Sequence, residues 1–135
     1  MNSLKNCISL FFFVCFISFS CKKQPYKPDF DRADGYVIGK EICNTDISDD
    51  YWLIDFSYGI DPPQIGDTVI LEGIEYTNVL KVKNLHTDLQ RVGVAVTLDY
   101  RIISSEKVIS SNCSVSNPVT YEAREMFVIA QSEIR

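Results

Sequence analysis

The first twenty-one residues place the strongest constraint on what this chain can fold into. Lys5 precedes an apolar run over residues 8–19, and Ser20 stands directly before Cys21. A positive charge, a short apolar stretch and a small residue are together the layout of a secretory signal peptide, which is removed from the mature protein. The run is also shorter than the roughly 20 apolar residues that a membrane-spanning helix needs. We therefore expect residues 1–20 to be cleaved and to take no part in the fold.

The residues at the cleavage position resemble the lipobox of bacterial lipoproteins. Residues 18–21 read Ser-Phe-Ser-Cys, and Lys22 and Lys23 follow, as at the junctions of lipoproteins from the Bacteroidota. The resemblance implies that Cys21 is lipidated and becomes the new N-terminus, and more than one acyl chain gives stable attachment. It therefore implies a membrane partner through the lipid anchor and a place in the outer membrane. In Bacteroidota lipoproteins that are exported to the cell surface, acidic residues tend to follow the cysteine. Lysines follow Cys21 here, so the resemblance favours a periplasm-facing position.

The five cysteines sort by their position relative to this cleavage site. Cys7 and Cys15 leave with the signal and Cys21 takes lipid, so Cys43 and Cys113 remain. An oxidising envelope compartment predicts that these two form a disulfide, whereas two free buried thiols are the alternative. Closing a loop of this length stabilises the fold by roughly 4 kcal/mol in the chain-entropy model.

Length and charge describe what remains after cleavage. The mature chain of about 115 residues suits one compact domain, so we divide it into a lipidated cysteine with a proline-bearing tether, 21–34, and a domain, 35–135. Without Lys5 it carries 12 basic and 18 acidic side chains. Because nucleic-acid affinity comes from lysine and arginine, this balance excludes nucleic acid as a partner and favours solubility or a basic partner.

Alternation of apolar and polar residues predicts a chain of β-strands. Gly39, inside the first, indicates a bulge, and Gly73 breaks the third. One short helix is expected from Asn84, with Leu85, Leu89 and Val92 at helical spacing and Gly93 as its stop. A polar loop at 104–118 holds Cys113. The predicted strands are 35–43, 51–58, 68–72 continuing as 76–83, 94–103 and 119–130.

This order of elements is similar to that of the OB-fold, a small Greek-key barrel. The expected fold is therefore mainly β, an OB-like barrel of five to six strands with one short helix. Residues 82–103 also look like a recurring segment of small Bacteroidota lipoproteins, in which a leucine-bearing helix and a glycine precede an alternating strand. That resemblance is structural and implies no particular biochemical activity.

The candidate ligand-binding residues are Asp49, Asp50, Tyr51 and Trp52. OB barrels bind ligands on the face of their second and third strands, where aromatic side chains can stack on bases or sugars. The two aspartates belong to the acidic loop that precedes the aromatic pair. Trp52 shares its alternation with apolar neighbours, so burial in the core is favoured for it, whereas Tyr51 is the candidate for exposure. The aspartates lack the spacing of a calcium loop, so a solvated acidic loop is expected and no metal site is predicted.

Few other residues indicate chemistry. Asp67-Thr68-Val69 resembles the acceptor tripeptide for O-glycosylation in the Bacteroidota, with Thr68 modified, although a turn aspartate before a strand explains the same letters. His86 is the only histidine, has no ligand or triad pattern around it, and is expected on the surface. The sequence thus predicts no cofactor and no enzyme activity.

Three functions fit these observations. The first is a non-catalytic accessory or binding module that contacts an envelope protein or glycan. The second is an inhibitor of a basic host enzyme such as lysozyme, which the net negative charge would attract. The third is a glycan hydrolase that uses Asp49 and Asp50, although the sequence does not fix the separation of the two carboxylates.

Overall fold

A computed structural model describes residues 28–135, and in this range the chain is mainly β. The predicted signal peptide, Cys21 and most of the tether lie outside the described residues. Two short 3-10 turns, Ile47–Asp49 and Thr87–Leu89, are the only helical elements between residues 28 and 135. The strands are β1 (Asp31–Lys40), β2 (Trp52–Asp55), β3 (Asp67–Leu71), β4 (Ile74–Val82), β5 (Ala95–Val108) and β6 (Ala123–Glu133).

The six strands form one sheet that closes on itself. Its order is β2-β1-β5-β6-β4, and β4 pairs again with β2, which completes a ring of five strands. The contact between β4 and β6 is parallel, and the other pairs are antiparallel. β3 pairs with β4 as an additional strand. Closure removes the exposed edges that an open sheet would leave, and the predicted mainly β, OB-like architecture is confirmed.

The glycine and turn signals act as expected. The register of β1 against β2 shifts between Val37 and Gly39, so the predicted bulge is present. β3 and β4 are joined by a two-residue turn, Glu72-Gly73, in which both residues have positive φ, 51° and 85°. Such a turn matches the twist of a hairpin and favours glycine at its second position. The chain therefore reverses where the sequence predicted a break.

Strand boundaries differ from the predictions at both ends of the domain. β1 begins at Asp31, four residues before the predicted domain start, because residues 31–34 already pair with β5. β5 continues to Val108, through the first part of the segment predicted as a loop. The last strand begins at Ala123 rather than at residue 119, and Val119 makes only an isolated bridge with Ile42.

The predicted short helix is wrong. Leu85 and Leu89 are buried as expected, but only the single 3-10 turn Thr87–Leu89 forms there. The amide side chain of Asn84 does not cap it, because that side chain exchanges two hydrogen bonds with the backbone of Val128, at 2.7 and 3.2 Å. So short a segment cannot overcome the cost of helix nucleation, and the two leucines are instead held by packing on the ring.

Apolar side chains pack in two layers. The interior of the ring holds the larger cluster, which includes Val37, Phe56, Leu98 and Met126. A second, smaller cluster of Leu53, Val69, Val79 and Ala123 lies on the outer face of β2 and β4. The outer face of β2 and β4 is therefore covered by other parts of the chain, and the candidate site forms at this covered face.

Candidate functional site

The candidate site centres on a lysine and a glutamate that are fully buried. The ammonium of Lys81 on β4 lies 2.6 Å from Oε1 of Glu41, which directly follows β1, and both side chains are completely inaccessible. Lys81 also donates to the carbonyl of Val108 at 3.0 Å. Glu41 accepts from the backbone N–H of Tyr121 at 2.8 Å and from the hydroxyl of Ser110. Buried charges need such partners, and here each has several.

Tyr51 completes this cluster. Its ring lies 4.9 Å from the ammonium of Lys81 and 4.8 Å from that of Lys83, measured to the ring centroid, so two cations share one aromatic ring. The predicted exposure of Tyr51 is wrong, because only 8% of the residue is accessible. Burial raises the pKa of Tyr51 to about 12, and the carboxylates of Glu125 and Glu41 act in the same direction. The phenol therefore stays protonated at neutral pH.

The segment between β5 and β6, residues 109–122, covers the ion pair. Strand alternation alone would place Lys81 on the outer face of β4 in water. The covering segment is fixed to the end of β1 by the disulfide between Cys43 and Cys113, whose Cα atoms are 4.5 Å apart, so the predicted pairing is confirmed. The carbonyl of Cys43 also accepts from Ser114 N–H at 2.8 Å. We call residues 109–122 the cover segment.

Beside the buried pair, a polar cleft of about 260 Å³ opens to solvent. Tyr51 and Lys83 form one side of it, the disulfide-bonded Cys43 with Asn44 and Asp49 another, and the residues at the start of the cover segment a third. Lys83 supplies a cation, Asp49 a carboxylate and the serines hydroxyl groups. The lining residues are Cys43, Asn44, Asp49, Tyr51, Lys83, Val108, Ile109, Ser110 and Ser111.

Asp50 shapes the loop that forms one wall of the cleft. Its Oδ1 accepts from the backbone N–H groups of Cys43 and Asn44, at 3.0 and 2.8 Å, and from the side chain of Asn44 at 3.0 Å. Only 2% of Asp50 is accessible, so the expectation of a solvated acidic loop is wrong for this residue. Asp49 is exposed, as expected. The two neighbouring carboxylates therefore differ in role, and only that of Asp49 faces solvent in the cleft.

The remaining predicted residues lie elsewhere. Trp52 belongs to the interior cluster of the ring, which confirms its predicted burial, and so it does not share the cleft with Tyr51.

Thr68 is exposed at the start of β3. The preceding Asp67 accepts from the backbone N–H and the guanidinium of Arg124, at 2.8 and 3.1 Å, which gives this aspartate a structural role. His86 is exposed, and its imidazole contacts the carboxylate of Asp88, two residues away.

Sequence reasoning missed Glu41 and Lys81, the two most deeply buried charges. Lys81 occupies a position that alternation assigns to the polar side of its strand, whereas Glu41 shares the buried side of the first strand with Val37. The two residues are 40 positions apart in the sequence, so no local pattern pairs them. One available signal was Cys113, because a disulfide in the middle of a polar segment implies that the segment lies against the folded surface. It did not indicate which side chains would lie beneath.

One hydroxyl of the cleft is already used within the protein. Ser110 donates its hydrogen bond to Glu41, and that carboxylate is also paired with Lys81 and bonded to Tyr121 N–H. Among residues 28–135 no group of three or more His, Cys, Asp or Glu side chains is placed to hold a metal ion. Nor does this range contain a helix long and apolar enough to cross a membrane.

Comparisons with known proteins add no identification. No family model matches the chain, and the comparisons with curated proteins and with solved structures return no match.

Proposed function

We propose that this protein is a lipid-anchored envelope lipoprotein of the outer membrane, facing the periplasm, whose OB-like domain is a non-catalytic binding module for an envelope protein or glycan. The observation that carries the proposal is the signal-like run ending in Ser20-Cys21, followed only ten residues later by the first strand of a closed, disulfide-bonded domain. A lipid on Cys21 would hold such a domain next to the bilayer.

The position of the cleft supports a role in binding. β1 begins at Asp31, on the anchor side, and ends at Lys40, after which the chain enters the walls of the cleft at Cys43. Ten residues of strand span about 30 Å. The cleft therefore lies at the opposite end of β1 from the tether, where a partner in the envelope can reach it.

The chemistry of the cleft fits a polar partner. The ammonium of Lys83 can donate to carboxylate or hydroxyl oxygens, and Asp49 can accept from amide, hydroxyl or ammonium groups. The hydroxyl of Ser111 can do both, whereas that of Ser110 donates to Glu41 and is left to accept. Because the buried pair and the disulfide fix the walls, these groups are pre-organised, which lowers the entropic cost of binding.

The anchor is tested by labelling cells with palmitate. We expect label in the wild-type protein and none in Cys21→Ala, which should appear in the soluble fraction. Cys15→Ala is the matched control, because that cysteine lies within the predicted signal and should leave the label unchanged. An unlabelled wild-type protein, or label that survives in Cys21→Ala, contradicts the anchored function.

The cleft is tested by crosslinking in intact envelopes followed by purification. We expect a reproducible partner that Lys83→Glu recovers at least about tenfold less well, since reversing a charge at the centre of an interface costs roughly 1.4 kcal/mol or more. Lys107→Glu makes the same change of net charge at an exposed position on β5 outside the cleft. Equal loss in both variants, or no partner at all, argues against the cleft as the binding surface.

A further inference from the structure

Three large apolar side chains are exposed together on the outer face of β5 and β6. Ile103, Phe127 and Ile129 are 55%, 52% and 44% accessible, and we call them the outer apolar patch. Val128, between Phe127 and Ile129, and Tyr100, three residues before Ile103, point into the core, so alternation directs the patch outward. Clustered apolar side chains on a surface mark a site of contact, whereas single ones need no explanation.

The patch lies where the tether enters the domain. Arg101 is the direct partner of Phe127 across the β5–β6 ladder. The guanidinium of Arg101 donates to the carbonyl of Asp29 at 2.6 Å and to its carboxylate at 2.5 Å. Asp29, near the start of the described chain, is therefore held beside the patch by the residue adjacent to it.

Two arginines near the patch neutralise acidic side chains. Arg101 pairs with Asp29, and the neighbouring Arg32 pairs with Asp99 through two hydrogen bonds of 2.5 and 2.9 Å. These pairs lower the local negative charge of a domain whose overall balance is negative. They therefore reduce the repulsion between this surface and anionic lipid headgroups.

The length of the tether limits what can cover the patch. Seven residues lie between Cys21 and Asp29, and the eight Cα-to-Cα steps span at most about 29 Å at full extension. With the acyl chains of Cys21 in the bilayer, the patch cannot move farther than that from the lipid, and a protein partner would have to enter the gap between them. The nearest large apolar phase is the membrane itself.

We infer that the outer apolar patch seats the domain on the membrane that carries its anchor, with Ile103, Phe127 and Ile129 at the level of the lipid headgroups. This inference rests on the proposed lipid anchor. Three half-exposed side chains bind a bilayer weakly on their own, but the tether makes the contact intramolecular and so raises its effective concentration.

Hydroxyl-radical footprinting of the mature chain tests the inference. The mature chain beginning at Cys21 would be coupled through this residue to a maleimide lipid in phosphatidylethanolamine–phosphatidylglycerol vesicles, and its Cys21→Ala form kept in solution. We expect modification of Phe127 and Ile103 to fall at least about threefold on the vesicles. Ile70 and Ile74 on the β3–β4 hairpin, 62% and 57% accessible, should change little and serve as internal controls.

A pair of matched double variants tests whether the protection comes from contact between the patch and the lipid or only from the nearness of the vesicle surface. Phe127→Ser with Ile129→Ser should abolish the protection of Ile103 on vesicles, whereas Ile70→Ser with Ile74→Ser should preserve it. Circular dichroism of both variants establishes that they are folded. Unchanged modification of Phe127 on vesicles, or equal protection of the hairpin isoleucines, overturns the inference.

Two further outcomes are decisive. Protection of Phe127 in the Cys21→Ala chain that increases with protein concentration would identify a second copy as the occupant and would overturn the membrane contact. Because coupling to the maleimide lipid supplies the anchor chemically, absence of palmitate in cells would refute the proposed function, whereas the footprint on vesicles tests the patch independently of it.

Discussion

The two ends of β1 carry ion pairs of similar length in opposite environments. At the start of the strand, Arg32 and Asp99 approach to 2.5 Å with the arginine side chain 67% exposed. Just beyond the other end, Glu41 and Lys81 approach to 2.6 Å with neither side chain accessible. In the first pair the arginine faces water although the aspartate is only 10% exposed, and the second pair lies wholly beneath the cover segment.

The comparison shows that the distance between two charges does not decide what the pair contributes. An exposed pair adds little, because water and salt screen it. A buried pair costs desolvation energy that its partners must offset, so losing one partner leaves an uncompensated charge in the interior. The buried pair of this protein is therefore a point of vulnerability, and it ties the end of β1, β4 and the cover segment together.

The largest effect is expected from Lys81→Met. The substitution leaves the Glu41 carboxylate buried without its cation, and we expect a loss of about 3–5 kcal/mol in the free energy of unfolding, measured by urea denaturation. Lys83→Met, two residues away at an exposed position, loses only the contact of its ammonium with the Tyr51 ring, so it should lower the free energy of unfolding by about 1 kcal/mol or less.

A double variant sharpens that result. Combining Lys81→Met with Glu41→Gln removes the orphaned charge while retaining an acceptor for Tyr121 N–H, so more than about 1 kcal/mol of the loss should return. If the double variant is no more stable than Lys81→Met alone, the damage comes from packing and not from charge.

The disulfide comes next. We expect Cys43→Ser with Cys113→Ser to lower the free energy of unfolding by about 2–4 kcal/mol, because the unfolded chain gains the freedom of the opened loop. Loosening of the cover segment should also admit water to Glu41 and Lys81, which hydrogen exchange of the Tyr121 amide would detect. Exchange as slow as in the wild type would show that the cover segment closes without its covalent link.

Tyr51 gives a smaller effect, confined to alkaline solution. Its folded pKa of about 12 lies above the ordinary value of about 10, so the folded state holds this proton more tightly than the unfolded state. The resulting stabilisation is complete below pH 10 and is lost as the pH rises from 10 to 12. Tyr51→Phe should therefore flatten the decline of the melting temperature over that interval, and an unchanged decline would contradict the assignment.

The smallest effect is expected at the pair of Arg32 and Asp99. Hydrogen bonding to Arg32 holds the pKa of Asp99 below its ordinary value, so this carboxylate stabilises the fold above its unfolded pKa of about 4 and ceases to do so as the pH falls below it. Arg32→Ala should make the melting temperature less sensitive to acid between pH 5 and 2. Arg91→Ala, which breaks an exposed contact with Glu133 at 3.4 Å, is the matched control and should leave the acid sensitivity unchanged.

The contrast between a face open to water and a covered face also explains which parts of the fold could be predicted from the sequence. The alternation around Val96, Leu98 and Tyr100 identified a strand, and these side chains do lie in the core, because their period of two reflects one buried face. The helical spacing of Leu85 and Leu89 was misleading, since both leucines are buried by the ring without forming a helix. In a segment this short, the spacing of apolar residues does not distinguish a helix from an irregular segment that is buried by tertiary contacts.

The candidate site was only partly predictable for a related reason. Tyr51 was expected in solvent because it lies on the opposite side of its strand from Trp52, and Asp50 because it belongs to a polar loop. Instead, Tyr51 is buried against the ammonium groups of two lysines, and Asp50 is buried and bonded to the backbone of its own loop. Trp52 could be assigned to the core, because it shares a face with Ile54. The sequence describes which face of a strand is polar, and it does not describe what later packs against that face.

By itself, the sequence determined the mainly β class, the bulge and turn positions and the pairing of Cys43 with Cys113, because each depends on residue type or on elimination among few candidates. Only the tertiary structure decided that Glu41 meets Lys81 and that Tyr51 is buried against the ammonium groups of Lys81 and Lys83. Those contacts join residues tens of positions apart, and they exist because the ring closes and the disulfide draws the cover segment across its outer face.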